Sequence, residues 1–131
     1  MTLAFEEALR CISLPANADL STKQYFFVKI TNSSGTGRAA VAGDGEHAVG
    51  VLQNKPDAAN EVATVAISGV SKVSAGGTIT AGQPVASDAA GEAVAAATGD
   101  IILGTALLSA DDGDLVPVLL DARNDLSNNN V

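Results

Sequence analysis

Short apolar runs separated by glycine-containing turns make up most of the chain after residue 33. Turns such as SSGTG, GDG, AGG and DDGD recur at the spacing of short strands and leave no room for intervening helices. The pattern therefore predicts an all-β fold, either a small β-barrel or a β-sandwich. The expected strands are Tyr25–Thr31, Arg38–Ala42, Ala48–Gln53, Val62–Val73, Pro84–Ser87, Ala93–Ala97, Ile101–Leu108 and Leu115–Leu120.

Two of these strands allow a more specific prediction. In Tyr25–Thr31, Phe26, Val28 and Ile30 share one face, which is expected to be core, and the residues between them form an amphipathic face. In Leu115–Leu120, Pro117 has no N–H to donate to a neighbouring strand. We therefore expect Leu115–Leu120 to be an edge strand.

Two segments of the chain resemble each other. AVGVLQNKPDAANEVATVAI and ILGTALLSADDGDLVPVLL each contain an apolar strand with a glycine, an acidic turn and an alternating strand, and they align with one inserted residue. The likeness predicts two hairpins of similar build. It is explained either by duplication or by chance similarity between hairpins.

The ends of the chain differ from its middle, so we divide it into an N-terminal arm and first segment (1–22), a β domain (23–121) and a flexible tail (122–131). The first segment fits a helical stripe, but it also fits an extended arm, which we prefer because Pro15 follows at once. Leu3, Phe5 and Leu9 form an apolar set on this arm and are the predicted partner-binding residues. The alternative is that the arm is the first strand of the subunit's own sheet.

Composition narrows the function classes. The hydrophobic fraction is 47%, but aromatic residues supply only 3% of the chain and alanine contributes 24 residues, so the core is thin and self-association is expected. A net charge of −8 argues against nucleic-acid binding, because phosphate contacts need a clustered basic face. No apolar run approaches the length of a membrane span. Glu6 and Glu7 do not fit a signal peptide, so we expect synthesis in the cytoplasm, and a single cysteine excludes an intrachain disulfide.

The sequence contains no predicted catalytic, cofactor-binding or metal-binding residue. His47 is the single histidine and Cys11 the single cysteine, and we interpret the first as solvated and the second as a small buried hydrophobe. The acidic clusters around Asp44, Asp88 and Asp111 fit turns in hairpins, and they lack the spacing of a calcium loop. The glycine-rich stretches open no helix, so they do not indicate a phosphate loop.

The order of four segments carries a family resemblance. LPANADLSTKQYFFVKIT, GEHAVGVLQNKP, EVATVAISGVSKVSAGGTITAGQPVASDAAGEAV and GDIILGTAL together resemble the small capsid cement or decoration proteins of tailed bacteriophages. The likeness extends from about Phe5 to Leu120, and the tail after it has no counterpart.

The resemblance implies a compact, non-enzymatic β domain that binds the outside of an assembled phage head and stabilises it. It implies the major capsid protein as partner, self-association as a homotrimer, and a place on the outer surface of the virion after synthesis in the host bacterium. The alternative function is a β-domain of a head fibre or adhesin that binds a glycan or a host surface. That alternative predicts exposed aromatic platforms, for which Tyr25, Phe26 and Phe27 are the clustered aromatic residues.

Overall fold

The computed structural model describes residues 4–121, which form nine strands and no helix. All pairing between these strands is antiparallel, in one curled sheet with the order β3-β2-β4-β5-β9-β8-β6-β7, and β1 pairs with β5. The all-β prediction is confirmed, and the sheet curls into a half-barrel. The strands are β1 (Glu7–Pro15), β2 (Phe27–Ser33), β3 (Thr36–Val41), β4 (Gly50–Leu52), β5 (Val62–Ser74), β6 (Pro84–Ser87), β7 (Ala93–Ala95), β8 (Gly104–Ala106) and β9 (Leu115–Leu120).

Each of the eight predicted strands corresponds to one observed strand, from β2 to β9. The first segment is extended and not helical, since Glu7–Pro15 forms β1 and pairs with β5 of the same subunit. Leu3 and the predicted flexible tail, 122–131, lie outside the described residues.

The prediction that Leu115–Leu120 is an edge strand is wrong. This strand, β9, lies between β5 and β8. The Pro117 carbonyl accepts a 2.9 Å bond from the Leu107 N–H, just beyond the end of β8. Because the nitrogen and the carbonyl of a strand residue face the same neighbour, the proline nitrogen points where β8 has ended. An interior strand can therefore contain this proline, because its missing N–H falls where the pairing with β8 ends.

The prediction that Phe26 belongs to the core face of its strand is also wrong. Phe27 is 1% exposed and Val28 is fully buried, whereas Phe26 is half-buried and precedes β2. Phe27 and Val28 point to opposite faces of the sheet and belong to two different core clusters. Simple alternation failed because both faces of the sheet are covered here.

The described chain consists of two repeats of the same strand arrangement. In the first repeat (7–68), β2 pairs with β3 and β4, and β4 pairs with β5. In the second repeat (69–121), β6 pairs with β7 and β8, and β8 pairs with β9. One further strand completes each repeat. In the first repeat β1 pairs with β5, and in the second repeat the C-terminal half of β5 pairs with β9.

The residue register shows that the repeats are equivalent in detail. Val51 pairs with Ala66 in the first repeat as Thr105 pairs with Leu119 in the second. The bond from the Ala16 N–H to the Glu61 carbonyl, 2.8 Å, is matched by one of 2.8 Å from Ala75 to Asp114. The two similar hairpins predicted from the sequence are confirmed, and the likeness extends over both halves of the structure.

A glycine occupies the same place in both repeats. A Cβ on Gly50 would meet the carbonyl oxygen of Ala66, and a Cβ on Gly104 would meet the carbonyl oxygen of the equivalent residue, Leu119. Both contacts are far inside van der Waals distance. Each repeat therefore needs glycine where these two strands pair, which is β4 with β5 in the first repeat and β8 with β9 in the second.

Candidate partner-binding surfaces

The predicted partner-binding residues lie at the start of the sheet. Leu9 is half-buried within β1, and Phe5 precedes β1 with 39% of its surface exposed. Pairing of Glu7–Pro15 with β5 agrees with the alternative that this segment is the first strand of the subunit's own sheet. Phe5 nevertheless presents a large apolar side chain to solvent, so partner binding by this end of the chain stays a prediction.

A shallow groove of about 490 Å³ lies where the first repeat meets the second. Its lining residues are Lys29, Ile30, Glu46, His47, Val49 and Ile101. The Lys29 ammonium contacts the Glu46 carboxylate at 2.9 Å, and that carboxylate also accepts a 2.7 Å bond from the Gly43 N–H. The hydrogen bond from Lys29, with the bond from Gly43 and the charge of Lys29, lowers the pKa of Glu46 below its ordinary 4.5. The groove is wide open, with an ion pair along an apolar wall.

The clustered aromatic residues do not form an open platform. Phe27 is buried in the core. The Lys23 ammonium lies 5.0 Å from the centre of the Phe26 ring, and the Lys72 ammonium lies 5.0 Å from the centre of the Tyr25 ring. A lysine therefore covers one face of each partly exposed ring. A sugar ring that stacked on Tyr25 or Phe26 would need such a ring face to be open.

The reactive residue types of the sequence are spread over separate elements. Cys11 is exposed on β1, contrary to the prediction that it is buried, and His47 is exposed in the connection between β3 and β4. The Asp88 carboxylate accepts bonds of 2.8 Å and 2.9 Å from the N–H groups of Ala90 and Glu92, so it closes the turn between β6 and β7. Within residues 4–121, no three potential metal ligands come together. The same residues include no helix that is long and apolar enough to cross a membrane.

Several exposed apolar residues were not predicted as contact residues. Leu119 is 45% exposed and Ile30 is 50% exposed, and each lies on a strand that also contributes buried core residues. The sequence carried a signal for Leu119, because β9 is apolar at outward as well as inward positions. A strand that is apolar on both faces indicates burial on both faces, within the subunit or against another molecule.

Comparison with known proteins identifies the class. The family model described as phage cement protein matches residues 13–120. The chain therefore belongs to the phage cement protein family. No curated protein sequence matches the chain.

A solved structure with a similar fold is the N base of the head fibre protein gp8.5 of bacteriophage phi29. It superposes with a TM-score of 0.70 at 16% sequence identity, over 91% of this chain and 100% of that chain. At this identity the likeness shows the fold alone. The family match gives the chain the role of a capsid cement protein, located on the virion capsid.

Proposed function

We propose that this cement protein binds the outer surface of the assembled phage head, contacts the major capsid protein and stabilises the shell as a homotrimer. The observation that carries the proposal is the family match over residues 13–120, which includes all strands from β2 to β9. In this proposal the protein is made in the host bacterial cytoplasm and has a structural role, without a catalytic step.

The physical properties of the subunit support this role. The described residues form a single curled sheet in which most strands have two hydrogen-bonded neighbours, and such a sheet is suited to holding contact residues in fixed positions. Weak contacts that are repeated many times over a capsid add up to strong attachment, because each bound subunit keeps its neighbours at high effective concentration. The excess of negative charge opposes aggregation of free subunits before they bind.

We propose further that the N-terminal end of the chain is one of the contacts, with Phe5 as anchor and with Leu3 and Leu9 beside it. Phe5 is an exposed aromatic residue at the start of a strand, and aromatic side chains that become buried at an interface contribute strongly to binding. The neighbouring β1 edge can accept an added strand from a capsid protein.

Binding to heads tests the main proposal. Purified protein is mixed with assembled heads that lack it, and the heads are sedimented and then heated. We expect the protein to sediment with the heads at a fixed number of copies per head and to raise the temperature at which the heads open. Absence of cosedimentation would contradict binding, and binding without a change in opening temperature would contradict stabilisation.

Deletion of Met1–Glu6 tests the N-terminal contact while leaving β1 in place. We expect normal folding with at least tenfold weaker attachment, and Phe5→Ser should reproduce most of that loss. Val62→Ser is the matched control. Val62 is an apolar residue with 59% exposure, and it pairs with Pro15 at the end of the β1–β5 ladder that is farthest from Glu7. Undiminished attachment of the deletion variant would show that the segment is only part of the subunit's own sheet.

A second candidate is the base of a head fibre or an adhesin module that binds a glycan or a host surface. The similar fold of the phi29 head fibre base is the observation in favour of this candidate. The lysine-covered rings of Tyr25 and Phe26 speak against a glycan platform. Binding of the purified protein to host cells or to a glycan array, lost on Tyr25→Ala, would favour this candidate over the cement role.

A further inference from the structure

The two repeats pack on each other in an unequal way. In the first repeat, the side chains that point away from its own core are buried against the core of the second repeat. They are Phe27, Ala42, Ala48 and Val51, and Ala66 beside them is also fully buried. The second repeat thus covers the outward face of the first.

The equivalent face of the second repeat stays largely accessible in the part of the chain that the structure describes. The register gives the equivalent residues, which we call the outward face: Pro84, Ala96, Ile102, Thr105 and Leu119. Four of them are partly or largely exposed, and Ile102 is buried, with 9% exposure. The contrast is largest for Leu119, which is 45% exposed where its counterpart Ala66 is fully buried. The face is apolar apart from the threonine hydroxyl.

The core of the first repeat lacks the cover that the core of the second repeat has. Leu14 and Val49 are half-buried there, whereas their counterparts Val73 and Leu103 are buried beneath the outward residues of the first repeat. We call the incompletely covered part of this core the open side. It consists of Ile12, Leu14, Val41, Val49 and Ile67.

The charge of the two repeats favours contact between unlike repeats. Residues 7–68 carry five Lys or Arg and six Asp or Glu, a net charge of −1. Residues 69–121 carry one Lys and seven Asp or Glu, a net charge of −6. A contact between two second repeats would bring like charges together, whereas a contact between a second and a first repeat meets less repulsion, because the first repeat is nearly neutral.

We propose that a second copy of the chain completes both surfaces by head-to-tail packing, with the outward face of one copy against the open side of the next. Each copy carries both halves of this contact, which repeats between molecules the kind of packing that joins the two repeats within one. Such a heterologous contact closes into a ring when its rotation allows, and three copies give the trimer. The inference rests on the self-association proposed above, but it does not require capsid binding.

Cysteine cross-linking tests the arrangement. In a Cys11→Ser background, Thr105→Cys marks the outward face and Val49→Cys marks the open side. The two single variants and the double variant are treated with a short bis-maleimide, both free and bound to heads, after circular dichroism has shown that each is folded. Ser34→Cys, in the exposed turn between β2 and β3, replaces Val49→Cys in the control pair.

We expect each single variant to remain uncross-linked, an equal mixture of the two to give dimers, and the double variant to give products up to a closed trimer. In parallel, Leu119→Asp should weaken self-association at least tenfold, and Val62→Asp should leave it unchanged. A Thr105→Cys single variant that links to itself or to the capsid protein would overturn the proposal. So would a mixture of the two single variants, or a double variant, that gives no cross-linked product either free or on heads. If the protein binds heads but these cross-links do not form, only the head-to-tail contact is refuted. If the cross-links form but the protein does not bind heads, only the capsid proposal is refuted.

Discussion

Truncation of Phe27 should destabilise the subunit far more than truncation of its neighbour Phe26. Phe27 is 1% exposed and packs in the core that joins the repeats. A buried aromatic side chain removes about 150–250 Å² from water, worth about 4–6 kcal/mol at about 25 cal/mol per Å². Alanine keeps part of this burial and leaves a cavity, so Phe27→Ala should lower the free energy of unfolding by about 3–5 kcal/mol.

Phe26→Ala is the matched control, because the same atoms are removed one residue away. The Phe26 ring is half-buried and has the Lys23 ammonium over one face, a contact worth about 0.5–1 kcal/mol at an exposed site. At about 3–5 °C per kcal/mol for a chain of this size, we expect Tm to fall by about 10–20 °C for Phe27→Ala. Thermal and urea unfolding followed by circular dichroism give both values. An equal or larger effect of Phe26→Ala would refute the assignment of Phe27 to the core between the repeats.

Two further predictions follow from backbone geometry and from charge. Gly50→Ala and Gly104→Ala should each destabilise the subunit by about 1–3 kcal/mol or more, because the added carbon meets a carbonyl oxygen; urea unfolding should show little change for Gly77→Ala, whose Cβ would approach Val94 at an ordinary 3.8 Å. The lowered pKa of Glu46 means that its bond with Lys29 stabilises the fold fully above about pH 4.5 and is lost as the pH falls through the lowered pKa. Glu46→Gln should therefore lower Tm slightly at pH 7 and not at low pH, and a difference that grows on acidification would contradict this sign.

The strand pattern could be predicted from the sequence because glycine turns and short apolar runs are local signals. The edge prediction for β9 failed because the effect of Pro117 depends on the length of β8, which is a property of the neighbouring strand. The prediction for Phe26 failed for a similar reason. Alternation identifies a core face only where the other face meets solvent, and the second repeat covers that other face at Phe27.

The candidate surfaces were less predictable than the fold. The apolar character of Phe5 is visible in the sequence, but its exposure depends on where β1 begins. The outward face of the second repeat becomes apparent only when Leu119 is compared with Ala66, its counterpart in the first repeat. The sequence likeness of the two hairpins indicated this equivalence, and the register of all the strands was needed to establish it.

Imaging of phage heads with and without this protein is the decisive test of attachment to the capsid. We expect additional density on the outer surface of the decorated heads, in clusters of three subunits into which the curled sheet of residues 4–121 fits. The N-terminal end of each subunit should lie against the capsid or a neighbouring copy. Heads that show no added density at saturating protein, or density confined to the inner surface, would contradict the role of an outer cement protein.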